Sequence, residues 1–427
     1  MSEDKVRSFQ DKLYLAAKSD PKRRFHSLRD KVIRRDILEK AWTDIKRNKG
    51  APGPDGITID QIKETGVDKF LDKLQQELKD KTYCPGPLLR VFIPKSSGGM
   101  RPLGIPNVRD RVVQAVVKIV IEPIFEADFL PFSFGYRPGK SPKDASEEVY
   151  RWLNFGLENV LDADIEHCFD EIPHDRLMKV LANRILDSYI LKLIKMWLGT
   201  PVLIDRTLHK VKKGTPQGGV ISPLLANVYL HQLDAEWLKC GMTKRFGPNA
   251  QMVRYADDIV ILTNKSLEGP VKVLHHILDG LELKLSENKT KQIKAEDGFD
   301  FLGFSFGRRY SKKYKKRKTY FNPNRDSIKR VKLEIGKIAG NHSLHIPPKE
   351  IVELLTLLVN GWQEYYRHSN TGKIFNDVRR YSVLRFRRFL RRRKNKSGIG
   401  RYWDLPDREF IERFGLNIKQ SATITYG

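Results

Sequence analysis

Two adjacent carboxylates, Asp257 and Asp258, sit in the stretch Arg254-Tyr255-Ala256-Asp257-Asp258-Ile259-Val260-Ile261-Leu262. Met252 and Val253 precede it, and the apolar run Ile259 to Leu262 follows the acids. That pattern predicts strand, tight turn, strand, with an acidic hairpin tip. It constrains the chain more than any other stretch, because two like charges side by side are tolerated when a divalent cation neutralises them, and hard carboxylate oxygens suit Mg²⁺. Asp-Asp is also ordinary turn chemistry, so the tip gains weight only with partners. A second acidic strand end supplies one: Val160-Leu161-Asp162-Ala163-Asp164-Ile165-Glu166-His167-Cys168-Phe169-Asp170. Asp162, Asp164 and Asp170 are all candidates there on spacing alone.

The formal charge of +27 over 427 residues points to a polyanionic partner, because such self-repulsion is seldom kept without something to neutralise it. Nucleic acid leads, ahead of an anionic membrane surface. No apolar run approaches the roughly 18 residues of a spanning helix. Val112 to Phe134 is broken by Lys118, Glu122, Pro123, Glu126 and Asp128, so no membrane partner is expected. The N-terminus lacks the apolar core of a secretion signal. Cys84, Cys168 and Cys240 are too scattered for a C-x-x-C zinc site and suit free thiols in a reducing cytoplasm.

Residues 1 to 47 have a charged helical pattern with Ile37, Leu38, Ala41, Trp42 and Ile45 on one face. It breaks at Asn48 to Gly56, a Gly- and Pro-rich loop carrying Lys49, whose bland reading is a simple connector. A helical stretch, Val67 to Lys81, leads to a strand Leu88 to Lys95 that runs into Ser96 to Pro106, whose second half reads as the returning strand of a hairpin. Lys95 and Arg101 flank its glycine turn and can hold two cations over a triphosphate. Val112 to Phe125 reads as a buried helix. The loop Phe132-Ser133-Phe134-Gly135-Tyr136-Arg137 mixes aromatic and basic residues, which suits stacking on and pairing with a nucleic-acid strand. After the acidic strand, Pro173 is expected to open a helix through Leu186. Gly214-Thr215-Pro216-Gln217-Gly218-Gly219 forms a loop, and Ser222-Pro223 is the expected N-cap and first residue of a helix from Leu224 to Trp237. Leu267 to Leu281 reads as helix, the segment holding Lys289 as loop, and Phe299 to Phe306 as one strand.

From Arg308 the composition shifts. Residues 308 to 401 hold 27 lysines and arginines against 6 acids, which places +21 of the total charge in this segment. Ile328, Val331, Ile335 and Ile338, then Ile351, Leu354, Leu355, Leu358 and Trp362, then Phe375, Val378, Ser382, Phe386 and Phe389 keep helical spacing. Three amphipathic helices with basic outer faces are expected. The density of Arg379, Arg380, Arg387, Arg388, Arg391 and Arg392 favours phosphate contact over a merely solvated face.

Nucleotidyl transfer uses two divalent ions about 3.5–4 Å apart, and carboxylates from two neighbouring strands supply such a site. Asp164 and Asp257 are assigned as bridging ligands, Asp258 as a supporting one, and the Ile165 carbonyl as an extra ligand. Two Mg²⁺ ions are expected, with Mn²⁺ an acceptable substitute.

The order of these motifs resembles the reverse transcriptases encoded by bacterial group II introns, which also act as maturases in intron splicing. The resemblance covers roughly residues 36 to 400. It implies an α+β right-hand polymerase with fingers and palm and an all-α, three-helix basic thumb. The implied divisions are 1–60 (N-terminal extension and template-holding loop), 61–307 (fingers and palm), 308–395 (thumb or maturase domain) and 396–427 (a short tail). It selects Asp164 over Asp162 and Asp170. Lys95 and Arg101 match the family's triphosphate contacts, Gln217 its nucleotide-positioning glutamine, and Phe169 the bulky residue beneath the sugar. A ring there collides with a 2′-hydroxyl and favours deoxynucleotides. Lys289 falls in the next motif, near the incoming triphosphate. Lys49, Arg137 and the six thumb arginines are the expected RNA contacts, and Gly361 to Tyr366 resembles the thumb signature.

Many members continue into a DNA-binding segment and a cysteine-rich nuclease, whereas about thirty residues without cysteine follow Lys396 here. Endonuclease activity is therefore not expected. The expected partners are an RNA template and primer, group II intron RNA, deoxynucleoside triphosphates and, as a further candidate, a DNA target, in a bacterial cytoplasm. Two rival readings stand beside this one: an RNA-folding maturase with a vestigial polymerase site, and a domesticated or CRISPR- or phage-defence-associated reverse transcriptase.

Overall fold

The computed structural model describes residues 2–94, 99–205, 207–312, 315–369 and 371–394. The chain divides into two compact units, one of residues 1–141, 161–261 and 266–291, the other of residues 142–160, 262–265 and 292–427.

The first unit is built around the helix Val108–Glu126, which is buried nearly all round, the polar Asp110, Arg111 and Gln114 included. The helices Ser2–Ser19 and Arg35–Arg47 pack on it. Ile37, Leu38, Ala41, Trp42 and Ile45 are all buried, as their spacing predicts. The Asn48 to Gly56 loop is held in place by two contacts with the start of the helix Val108–Glu126. Arg111 donates to the Ala51 carbonyl at 2.5 Å, and Gly53 lies so close to Asn107 that a β-carbon there would come within 2.6 Å of its backbone. The helix Ile59–Thr65 opens with a Thr58/Gln61 capping box, followed by Val67–Asp80.

The expected basic hairpin is present. Leu88–Pro94 pairs antiparallel with Met100–Ile105 from Leu89↔Ile105 to Pro94↔Met100, and Leu88 also pairs parallel with Val202. The helix after Pro173 is shorter than expected: it runs His174–Ala182, and a separate helix Ser188–Leu198 follows. Asp187 is the reason. One of its oxygens accepts the Tyr189 and Ile190 amides while the other accepts those of Leu28 and Arg29, so a new helix starts there. The next helix begins one turn position earlier than expected, at Ser222, with Ile221 as its N-cap. Ser222 is buried inside the first turn, so it makes no side-chain cap.

In the second unit the helix Pro142–Asn154 packs on an antiparallel sheet of Phe299–Phe301, Phe304–Ser311 and Lys316–Pro323. Phe299 to Phe306 is therefore two strands, not one. Leu302 (φ 49°) and Gly303 (φ 84°) turn the chain back in left-handed conformations. The third strand lies within the basic run and pairs Arg308 with Thr319, so the expected division at residue 308 falls inside a strand. Phe304, Phe306 and Phe321 pack ring against ring. Three helices follow, Arg325–Ile338, Pro348–Tyr366 and Gly372–Arg393, around a core that includes Ile335, Leu355, Val359, Phe386 and Phe389. Trp362 and Tyr366 both bond the Ser327 hydroxyl, at 3.1 and 2.6 Å, and Tyr365 and Tyr366 donate to the Leu302 and Gly303 carbonyls. The signature Gly361 to Tyr366 thus clamps the aromatic turn to the helices. Among the described residues no helix is long and apolar enough to cross a membrane.

Candidate active site

The acidic hairpin forms as its alternation predicts, with strands Gln251–Tyr255 and Asp258–Thr263. Ala256, at φ 57°, makes the tight reversal between them. Neighbouring strand Asn159–Asp164 ends at its acid. The Ile165 amide approaches the Asp257 carbonyl at 3.4 Å, which ties the two acidic ends together. Beyond the strand, the amides of Ser286 and Glu166 bond the Asp164 and Lys284 carbonyls at 2.8 Å, fixing the loop that carries Lys289. The Lys289 ammonium forms an ion pair with the Asp164 carboxylate, which holds it above the usual lysine range.

Crowding of carboxylates dominates the electrostatics. Loss of solvation, then repulsion from Asp164, raises Asp257, while Arg101 and Lys289 partly offset it. Asp258 is pushed up to about 7, first by surrounding protein that displaces its water and then by Asp257, Asp164 and Asp162, although its surface remains reachable from the open side. Asp164, Asp257, Asp258, Arg101 and Lys289 thus share one local field. Asp170 accepts the Gln217 side-chain amide at 3.1 Å. Among the described residues, no three His, Cys, Asp or Glu side chains stand close enough to hold a metal ion as they are.

The hairpin tip is anchored from beneath by a pair that its sequence does not announce. Arg254, fully buried, bonds Asp234 at 2.7 and 2.5 Å, the Asn227 side-chain oxygen at 3.2 Å and the Ala256 carbonyl at 2.9 Å. Asp234 is on the buried helix Ser222–Lys239 and is itself fully buried. The aromatic-basic loop lies against the same hairpin: Phe134 donates to the Arg254 carbonyl, Arg254 to that of Phe132, and Asn227 to that of Gly135. A β-carbon on Gly135 would overlap the Ala256 amide, so only glycine allows this approach.

That loop corrects one expectation. Arg137 is not on a nucleic-acid surface: its guanidinium is buried, bonded to Glu126 and to the Leu130 and Ser133 carbonyls. Its neighbour Tyr136 points outward instead, edge-on to Phe169 with ring centroids 6.3 Å apart. Phe169 is half-buried in the short helix Cys168–Glu171, and its carbonyl accepts the Thr215 amide at 2.6 Å. Gln217 accepts the Gly104 amide on its own carbonyl at 2.7 Å, which seats the glutamine loop on the basic hairpin. Gly214 and Gly218, both at positive φ, make the close contacts with Asp170 and Gly104. Arg101 is exposed on that hairpin, and Lys95 lies outside the described residues. Lys49 is exposed at φ 45°, just past the helix Arg35–Arg47.

In the second unit, Arg379, Arg387, Arg388 and Arg391 are half-buried and Arg380 and Arg392 exposed. Arg392 also bonds the Asn341 side chain at 2.7 Å.

The reverse transcriptase (RNA-dependent DNA polymerase) family matches residues 93–306, and the group II intron, maturase-specific domain matches residues 328–408. Protein YkfC of Escherichia coli is 32% identical over 342 residues, covering 72% of this chain and 90% of its own. Group II intron-encoded protein LtrA of Lactococcus lactis is 35% identical over 261 residues, 61% of this chain and 41% of its own. An uncharacterized 91 kDa protein in the cob intron of Schizosaccharomyces pombe is 38% identical over 207 residues, 48% of this chain and 25% of its own. With an α+β first unit that presents two acidic strand ends side by side, and with both domains matched in order, the chain belongs to the reverse transcriptases that carry a group II intron maturase domain.

Proposed function

We propose that this protein is a divalent-metal-dependent RNA-directed DNA polymerase that binds group II intron RNA and assists its splicing. The observation that carries the polymerase half is the junction of the two acidic strand ends, where Asp164, Asp257 and Asp258 share one electrostatic field. An all-oxygen donor set fits Mg²⁺ or Mn²⁺, and loss of solvation followed by the crowding of Asp257, Asp164 and Asp162 raises the Asp258 carboxyl. Asp164, Asp257 and Asp258 would hold the metal, with the Ile165 carbonyl as a further donor, once Asp164 is released from Lys289. Bound there, two divalent ions would make the primer 3′-hydroxyl more acidic and neutralise charge on the departing pyrophosphate.

The chain's own residues then orient the substrate. Arg101, together with Lys95 six positions earlier in the sequence, draws in the triphosphate as a charge-assisted clamp. Lys289, freed from Asp164, offers a third cation to it. Gln217 sits on the loop against Asp170 and positions the nucleotide, and the Phe169 ring fills the space a 2′-hydroxyl would need. In the maturase domain, Arg379, Arg380, Arg387, Arg388, Arg391 and Arg392 on the helix Gly372–Arg393 contact RNA phosphates, with Lys49 a separate contact on the N-terminal loop. The test is primer extension on an RNA template with deoxynucleotides against ribonucleotides. Extension with deoxynucleotides, dependent on Mg²⁺ or Mn²⁺, is expected. Binding of intron RNA with no extension under any divalent ion would instead make the protein an RNA-folding maturase.

A further inference from the structure

Tyr136 is an exposed aromatic on a rigid mount. Its backbone is left-handed at φ 57° and its side chain is 54% exposed, yet both flanking residues are fixed. Gly135 is wedged against the Ala256 amide and bonded by Asn227, and Arg137 is buried among Glu126 and two carbonyls. A non-glycine residue at positive φ persists only when its surroundings over-determine it. The consequence is that the ring has a fixed origin on the loop that leans on the acidic hairpin. It stands at 89° to the Phe169 ring. Edge-to-face contact at this separation restrains both rings. Loss of solvation, then the Asp257 carboxylate, pushes the Tyr136 hydroxyl up, and Arg101 opposes them, so the ring lies within the field of the acidic tip.

We propose that Tyr136 is a positioning residue for sugar selection: its ring props Phe169 in the orientation that excludes a 2′-hydroxyl. The inference rests on the reading of Phe169 as the residue beneath the sugar. Phe169 lies in a four-residue helix, half-buried and packed against the core of the first unit, and the Tyr136 ring adds an edge contact to it.

The experiment is single-nucleotide extension by the full-length protein on an RNA template, with the ratio of kcat/KM for deoxy- over ribonucleotide measured for four variants. Phe169→Val is expected to lower the ratio most. Tyr136→Leu removes the edge contact and should lower it about three- to ten-fold, the range expected for one aromatic pair. Tyr136→Phe keeps the ring and should stay within about two-fold of wild type on the same reasoning. The double variant Tyr136→Leu/Phe169→Val should be no less selective than Phe169→Val alone, because the prop has nothing left to hold. If Phe169→Val lowers the ratio while Tyr136→Leu does not, or if the two effects add, the inference is overturned and the reading of Phe169 survives. If Phe169→Val itself leaves the ratio unchanged, that reading fails and takes the inference with it. Should Tyr136→Leu fold poorly at its positive φ, Tyr136→Asn, which tolerates that backbone, takes its place with the same expected loss.

Discussion

Truncating Asp234 to alanine should damage this protein more than any other single change outside the acidic tip. Asp234 and Arg254 are both inaccessible to solvent, and the aspartate takes two of the guanidinium's bonds, at 2.7 and 2.5 Å. Without it a fully buried cation keeps only the Asn227 and Ala256 oxygens. Breaking a buried pair from one side costs about 3–5 kcal/mol, because the remaining charge is left uncompensated. For a unit of this size each kcal/mol shifts the melting midpoint by about 2–4 °C, so Asp234→Ala should lower it by about 6–20 °C. Replacing both partners, Asp234→Leu with Arg254→Met, removes the charge as well and should recover most of the loss. The double variant should nevertheless extend primers poorly, since Arg254 no longer holds the Ala256 carbonyl at the reversal between the strands. Thermal melts followed by circular dichroism, paired with extension rates, make the comparison. A drop of less than about 2 °C in Asp234→Ala would refute the reasoning, for it would mean that the pair contributes less than ~1 kcal/mol.

Two further outcomes follow from the charges. The raised Asp258 carboxyl binds a proton in the folded protein that the unfolded chain releases near pH 4, so its ionisation weakens the metal-free fold progressively between about pH 4 and 7. In EDTA, Asp258→Asn should therefore match wild type near pH 4 and melt higher than wild type above pH 7. An equal difference at both pH values would contradict the electrostatic cause. In the maturase domain, replacing Arg387, Arg388, Arg391 and Arg392 together by Gln keeps helix propensity while deleting four cations. The slope of log binding constant against log salt for intron RNA should shrink by about 0.7–0.9 for each phosphate that is no longer neutralised, and assisted splicing should fall further than extension on a short annealed primer. An unchanged slope would locate RNA binding elsewhere.

Local periodicity carries much of the fold. The Asp257 hairpin, the buried helix through Val117 and the three described helices from Arg325 to Arg393 follow from alternation and helical spacing. What escapes it depends on contacts distant in sequence or on backbone sign. Asp234 reads as an ordinary helix acid, because nothing local shows that Arg254, twenty residues on, lies buried against it. Tyr136 and Arg137 look interchangeable as nucleic-acid contacts, yet the chain's path past Gly135 sends one outward and the other inward. The run from Arg308 to Lys318 reads as charge, and its density hides a strand pair whose inward residues, Phe306 and Phe321, sit at its edges. Gly303 is the available signal for the turn that divides Phe299 to Phe306.

The most direct test of the acidic centre is extension of an annealed primer on an RNA template by wild type and Asp257→Asn, with affinity for the same template measured in parallel. The substitution is isosteric and removes one charge from the acidic tip while leaving the basic surfaces intact. Asp257→Asn is expected to lose extension by several orders of magnitude and to keep its RNA affinity within about two-fold, as the basic side chains that hold RNA are untouched. Robust extension by Asp257→Asn at any concentration of Mg²⁺ or Mn²⁺ would contradict the assignment.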